Sequence, residues 1–249
     1  MSWTITSAGQ LKETIHDMKL KLAEKIGVQE GFTIVDLGCG PGHHPPSFTV
    51  CLAELVGEKG RVLGVDISNE NVMELYNEAK EFKVEGRVSF VQGDAVNLRG
   101  VMEDHFADMV VSYRFLEEFM RPKDLSKVIK EMVRIVKRGG KVCVIELSTN
   151  TRNEAEEIYI RLHRDWGDSF FEASEIAEQM RKNGLTSIQI ETFEPNIWFS
   201  PQVAEEDFWE EFREQIMSEL GPLTKKYGMK YPPLFIVSGR KLKRGAPWV

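Results

Sequence analysis

Apolar positions along this 249-residue chain recur with two periods, and their alternation predicts the fold class. Between about residues 8 and 26, Leu11, Ile15, Met18, Leu22 and Ile26 return every three or four residues with charges between them. That spacing predicts an amphipathic helix leading into the first strand and covering one side of the loop after it. Phe32 to Val35 is a short, partly β-branched apolar run. Further runs of this kind lie at Arg61–Asp66, Val88–Val91, Ala107–Ser112 and Lys141–Leu147. Helical periodicity fills the intervals: about Pro45 to Val56, Asn69 to Phe82, and Leu125 to Val136, with Val128, Ile129, Met132 and Ile135 on one face. Strands alternating with helices in this way predict an α/β protein, a parallel sheet with helices on both faces. Helical stretches at about Arg152–Arg164 and Ala173–Lys182 follow, then a strand at Ser187–Phe193, an amphipathic helix at Val203–Leu220 and a last strand at Pro233–Gly239.

The first strand runs into Asp36-Leu37-Gly38-Cys39-Gly40-Pro41-Gly42, a loop with glycine at alternate positions. Glycine there permits unusual backbone angles and lets the main chain touch a bound molecule directly. The second and third strands also end in acids, Asp66 and Asp94. In open parallel sheets a ligand lies beyond the carboxyl ends of the strands, so three acids at successive strand ends face one site. Each alone could be a helix cap; three at matched positions point to a ligand with several polar groups. Asp66 falls 28 residues after Gly38, where a carboxylate can accept from both hydroxyls of a ribose, and Asp94 falls where it can accept from an exocyclic amine. That pattern suits an adenosine.

Composition narrows the setting. One domain over residues 1–249 fits the length, with the N-terminal helix and the 203–220 helix as elaborations. The net charge of -7 gives no long-range attraction to nucleic acid or to an anionic membrane. Cys39, Cys51 and Cys143 are scattered and make no metal-ligand pairs, so a reduced, cytoplasmic protein without a bound metal is expected. No apolar run is long enough to span a membrane.

The motifs Asp36-Leu37-Gly38-Cys39-Gly40-Pro41-Gly42, Gly64-Val65-Asp66-Ile67-Ser68, Gly93-Asp94-Ala95 and Arg134-Ile135-Val136-Lys137-Arg138-Gly139-Gly140 resemble, in order and spacing, those of class I S-adenosylmethionine-dependent methyltransferases. The resemblance covers about residues 30 to 148. It implies a Rossmann-like, doubly wound sheet of seven strands, mostly parallel with an antiparallel last strand. It also implies S-adenosylmethionine as cofactor: the methionine part over Gly38 and Gly40, its amino group toward Asp36, the ribose on Asp66, Ile67 against the adenine, and Asp94 with the Ala95 backbone on the adenine edge. Ser112 would line the methionine end, and Tyr113 and Arg114 would face the acceptor. Two departures stand out: Arg138 replaces a common proline, and His43-His44-Pro45-Pro46 is unusual after the glycine loop.

A nicotinamide-dependent dehydrogenase is the main rival, but its fingerprint asks for Gly or Ala where this chain has His43. A regulatory scaffold that binds the cofactor without transferring methyl groups would keep the same motifs. For transfer itself, alignment of the acceptor supplies much of the rate, and a general base is needed only where the acceptor loses a proton. Tyr113 and His43 are the candidate catalytic residues, followed by His44 and His163; His163, with Arg161, Arg164 and Trp166, falls where enzymes of the resembled family often place substrate contacts, although a solvated helix face is the simpler reading. Ser112-Tyr113-Arg114-Phe115 stands where nucleic-acid amino-methylating enzymes carry Asn/Asp-Pro-Pro-aromatic. The expected acceptor is therefore a small molecule, with a scaffold like that of quinone-biosynthesis methyltransferases. The aromatic face of the 203–220 helix, Phe208, Trp209 and Phe212, reads as core, as a contact in a homodimer, or as a lid over an apolar acceptor.

Overall fold

The computed structural model describes residues 3–40, 44–70, 72–118, 122–208 and 214–243. Its main element is a seven-stranded sheet built from β2 (Thr33–Leu37), β3 (Arg61–Asp66), β4 (Val88–Gln92), β5 (Ala107–Tyr113), β6 (Val136–Leu147), β7 (Leu185–Phe193) and β10 (Leu234–Lys241). The spatial order is β4-β3-β2-β5-β6-β10-β7. The first five run parallel, and β10 enters antiparallel between β6 and β7. This is the mostly parallel, doubly wound sheet with an antiparallel last strand.

Side chains alternate across it because successive strand residues point to opposite faces. Met109, Val111, Cys143 and Ile145 enter one core with α1 (Ala8–Lys25), α2 (Phe48–Leu55), α3 (Val72–Glu81) and α5 (Glu154–Trp166). Val110, Val142 and Val144 enter a second core with α4 (Pro122–Ile135) and α6 (Ala173–Lys182). Helices thus cover both faces. Local signals fix their starts: Ser7, Ser47 and Asn153 each accept a bond from a first-turn backbone N–H, worth about 1 kcal/mol per cap.

Three differences from the sequence reading have physical causes. The Gly139-Gly140 turn lies inside β6 as an irregularity opposite Ala107–Met109. Gly139 has φ +83°, and a Cβ on Gly140 would sit 2.7 Å from the carbonyl oxygen of Asp108, so both glycines are needed to let the chain bulge without leaving the sheet. The helix expected over 203–220 is two, α7 (Pro201–Phe208) and α8 (Glu214–Tyr227); Trp209 and Phe212 lie outside the described residues, and only the backbone of Phe208 is described. A second, three-stranded sheet was not foreseen. It joins β1 (Trp3–Ile5), β8 (Ile197–Phe199) and β9 (Met229–Lys230), runs too short to show a period. It brings the chain's start beside β8, whose other edge pairs with β9, just before β10.

Candidate active site

Beyond the carboxyl ends of β2, β3 and β5 lies a cavity of about 380 Å³. The main chain forms one wall. Gly38, at φ +73°, and Cys39 both donate to the carbonyl of Val65, tying the glycine loop to β3. A side chain on Gly38 would overlap the Phe115 ring, so only glycine is accommodated. Asp66 accepts from the N–H of Gly40 (3.1 Å) and of Ser68 (3.0 Å), which fixes its carboxylate at the rim. Asp36 is buried at the base and accepts from the Thr49 hydroxyl at 2.6 Å. Burial pushes its carboxyl up to about 7, against that bond and the nearby Lys19.

The opposite wall is assembled from distant parts of the chain. Ile15 and Lys19 come from α1, Tyr113, Arg114, Phe115 and Glu117 from β5 and the turn after it, Trp166 from the end of α5, and Tyr231 from the segment after β9. Arg114 holds this half together. Its backbone adopts φ +50°, an uncommon conformation for a bulky residue. Its Nε and Nη2 donate to Glu117 Oε1 (3.1 and 2.9 Å), and its Nη1 to the hydroxyls of Tyr159 (3.1 Å) and Tyr231 (3.3 Å). Every nitrogen of the guanidinium thereby has a protein partner. Arg114 Nη2 lies 3.4 and 3.2 Å from the two ring nitrogens of His163, over its face, and His163 Nδ1 lies 2.7 Å from the Asp168 carboxylate. Burial, then the Arg114 charge, holds His163 well below the usual histidine range, so it is neutral. The Tyr113 and Tyr231 hydroxyls lie 3.1 Å apart. Burial raises Tyr113 far above the ordinary phenol range.

Supporting groups fix this arrangement. Glu146, at the end of β6, accepts from the N–H of Phe115 and Leu116 and shapes the turn after β5; burial, then Glu117, raises its carboxyl. Lys230 pairs with the buried Glu156 of α5 at 2.6 Å, anchoring β9 and hence Tyr231. The donor atoms of Glu117, His163 and Asp168 lie within 4.8 Å of one another, a spacing that suits a cation, but the Arg114 guanidinium already contacts Glu117 and His163.

Of the residues expected to bind a cofactor, Asp36, Gly38, Gly40 and Asp66 line the cavity with Tyr113 and Arg114. Ile67 (67% exposed), the exposed Asp94 and the buried Ala95 lie past Asp66, on the open side. Ser112 is fully buried at the end of β5 and is not a lining residue. His43 lies outside the described residues. His44 is buried and lines the cavity. The solvated-face reading of His163 is corrected: it is 2% exposed, because the inner face of α5 carries Tyr159, Leu162 and His163, with Trp166 completing it at the cavity mouth. Arg161 does face outward, pairing with Glu219. Lys19, Glu117, Glu146, Tyr159 and Tyr231 were not foreseen. Two carried a signal: Lys19 interrupts the apolar stripe of α1 between Ile15 and Leu22, and Glu146 interrupts the apolar run of β6.

A cavity at the carboxyl ends of a seven-stranded sheet with this strand order, floored by a glycine loop and flanked by strand-end acids, defines the methyltransferase form of the Rossmann-like fold. A family model for the methyltransferase domain matches residues 29–200, and the chain belongs to that family. It is 31% identical over 150 residues to the demethylmenaquinone methyltransferase of Lactococcus lactis, covering 59% of this chain and 56% of that protein. It is 29% identical over 190 residues to the protein of that name in Bacillus cereus, covering 67% of this chain and 75% of the relative. Among solved structures it resembles a cyclopropane-fatty-acyl-phospholipid synthase-like protein from Lactobacillus casei, with TM-score 0.71, 17% identity and 95% and 94% of the two chains covered. It also resembles the Haemonchus contortus phosphoethanolamine N-methyltransferase 2 in complex with S-adenosyl-L-methionine, with TM-score 0.60, 18% identity and 91% and 53% covered. No described helix is long and apolar enough to cross a membrane.

Proposed function

We propose that this chain is an S-adenosylmethionine-dependent methyltransferase acting on a small aromatic acceptor in the cytoplasm. The observation that carries the reading is the two-sided cavity, with Asp36, Gly38, Gly40 and Asp66 on one wall and Tyr113, Phe115, Trp166 and Tyr231 on the other. The residues present fit the cofactor. Gly38, held at φ +73° with no space for a side chain, leaves bare backbone on the cavity wall, and Ile67, after Asp66, presents an exposed apolar side chain.

When bound, the cofactor supplies a methyl group already activated by its sulfonium. The protein's work is then placement. Asp36 receives the ammonium of the amino-acid end, Asp66 the ribose hydroxyls, and Ile67, Asp94 and Ala95 the adenine. On the other wall, flat apolar side chains exclude water and align a planar acceptor. The Tyr113 and Tyr231 hydroxyls, oriented by Arg114, hold its polar group. The naming of the relatives as demethylmenaquinone methyltransferases supports a hydroxylated ring as acceptor.

Incubation with methyl-tritiated S-adenosylmethionine and a reduced naphthoquinone tests this. Label appearing in the organic extract is expected. Cofactor binding with no transfer to any member of an aromatic panel would favour the regulatory scaffold, and tight NAD binding the dehydrogenase.

A further inference from the structure

We propose that Lys19 is the counter-ion for the carboxylate of the cofactor's amino-acid end; the inference rests on the cofactor reading above. An amino-acid end brings an ammonium and a carboxylate into the cavity, and Asp36 answers only the first. Lys19 and Arg114 are the cations among the described lining residues. Each guanidinium nitrogen of Arg114 has a protein partner, and its charge is answered by Glu117 at 2.9 Å. The Lys19 charge is not answered in this way among the described residues.

Lys19 is 4% exposed, and its ammonium donates to the carbonyl oxygens of His44 (2.6 Å) and Pro46 (2.7 Å). An ammonium has three N–H groups. The third has no hydrogen-bond acceptor among the described residues; the other contact of Nζ is the face of the Tyr113 ring, 5.5 Å away. Glu78, an acid near it, is engaged with the Ser47 N–H. A buried charge without an opposite charge in contact is costly, and a ligand that supplies one removes the cost. In keeping with that deficit, burial lowers the lysine to about 8. Ile15, one turn earlier, lines the same cavity, so this face of α1 roofs the amino-acid end. Lys19 also lies outside the 29–200 segment matched by the family model.

The test is calorimetry on the full chain with S-adenosylhomocysteine and with its decarboxylated analogue, which keeps the amino group. The wild type should prefer the parent ligand by roughly tenfold or more, the size of a charge-assisted bond. Lys19→Met should remove most of that preference by weakening the parent alone, and Lys19→Arg should restore part of it. Equal weakening of both ligands would show that Lys19 only holds the His44–Pro46 turn, and would overturn the inference. Equal binding of both ligands by the wild type would also overturn it, whether or not the variants fold. Binding of neither ligand to the wild type would instead overturn the cofactor reading itself.

Discussion

The two walls of the cavity are built on opposite principles. The cofactor-side wall is local: Asp36, Gly38 and Gly40 lie within five positions, and Asp66 is brought alongside by one parallel strand pairing, Leu37 against Val65. It is mostly backbone, with Asp36 buried at its base and Asp66 held by two backbone N–H groups. The acceptor-side wall gathers Tyr113, Tyr159, His163 and Tyr231 from separate elements around one buried guanidinium, that of Arg114. Side chains make it, and it stands only if the second sheet and α5 are in place. A damaged cofactor wall should therefore cost affinity and little stability, whereas a damaged acceptor wall should cost stability first.

The largest effect should come from Arg114→Met. It strands Glu117 and three other partners in a buried site, and removing one member of a buried pair costs about 3–5 kcal/mol. Urea unfolding should show that loss, while the folded fraction keeps its cofactor affinity; a loss under about 1 kcal/mol would mean the cluster is not a structural unit. Asp66→Ala comes next. It should weaken S-adenosylhomocysteine by at least about tenfold, with a smaller loss of stability than Arg114→Met, because among the described residues its carboxylate accepts only from the Gly40 and Ser68 N–H groups. Equal damage to folding and binding would erase the contrast between the walls.

A third effect is set by pH. Burial keeps Asp36 protonated up to about 7, and only its ionised form can meet an ammonium. Cofactor affinity should be full above that value and fall by about tenfold per pH unit below it. Asp36→Asn should bind weakly and with a flat profile; an unchanged slope would assign the titration to another group. The smallest effect is Tyr231→Phe. It removes a hydroxyl that bridges Arg114 and Tyr113 and should cost about 1 kcal/mol of stability, with cofactor affinity unchanged.

The same contrast explains what could be read from the chain alone. The alternating strands and helices, the glycine loop and the strand-end acids follow from short-range period and spacing, and the sheet appears where they place it. Tyr231 follows a two-residue strand, and nothing near it in sequence marks it as a neighbour of Tyr113, 118 positions away. His163 was misread because α5 has charges on both sides of its buried stripe, so its charged neighbours resembled a solvated face. Lys19 and Glu146 were legible in principle as charged residues in apolar stripes. Such a residue is either paired in the core or turned into a cavity, and only the folded structure distinguishes the two.

Titration calorimetry of the wild type with S-adenosylhomocysteine and, separately, with NAD is the deciding experiment for the site as a whole. One equivalent of S-adenosylhomocysteine should bind at micromolar affinity, and NAD should give no heat. Silence with S-adenosylhomocysteine, or saturable binding of NAD in its place, would contradict a methyl-donor site at this glycine loop.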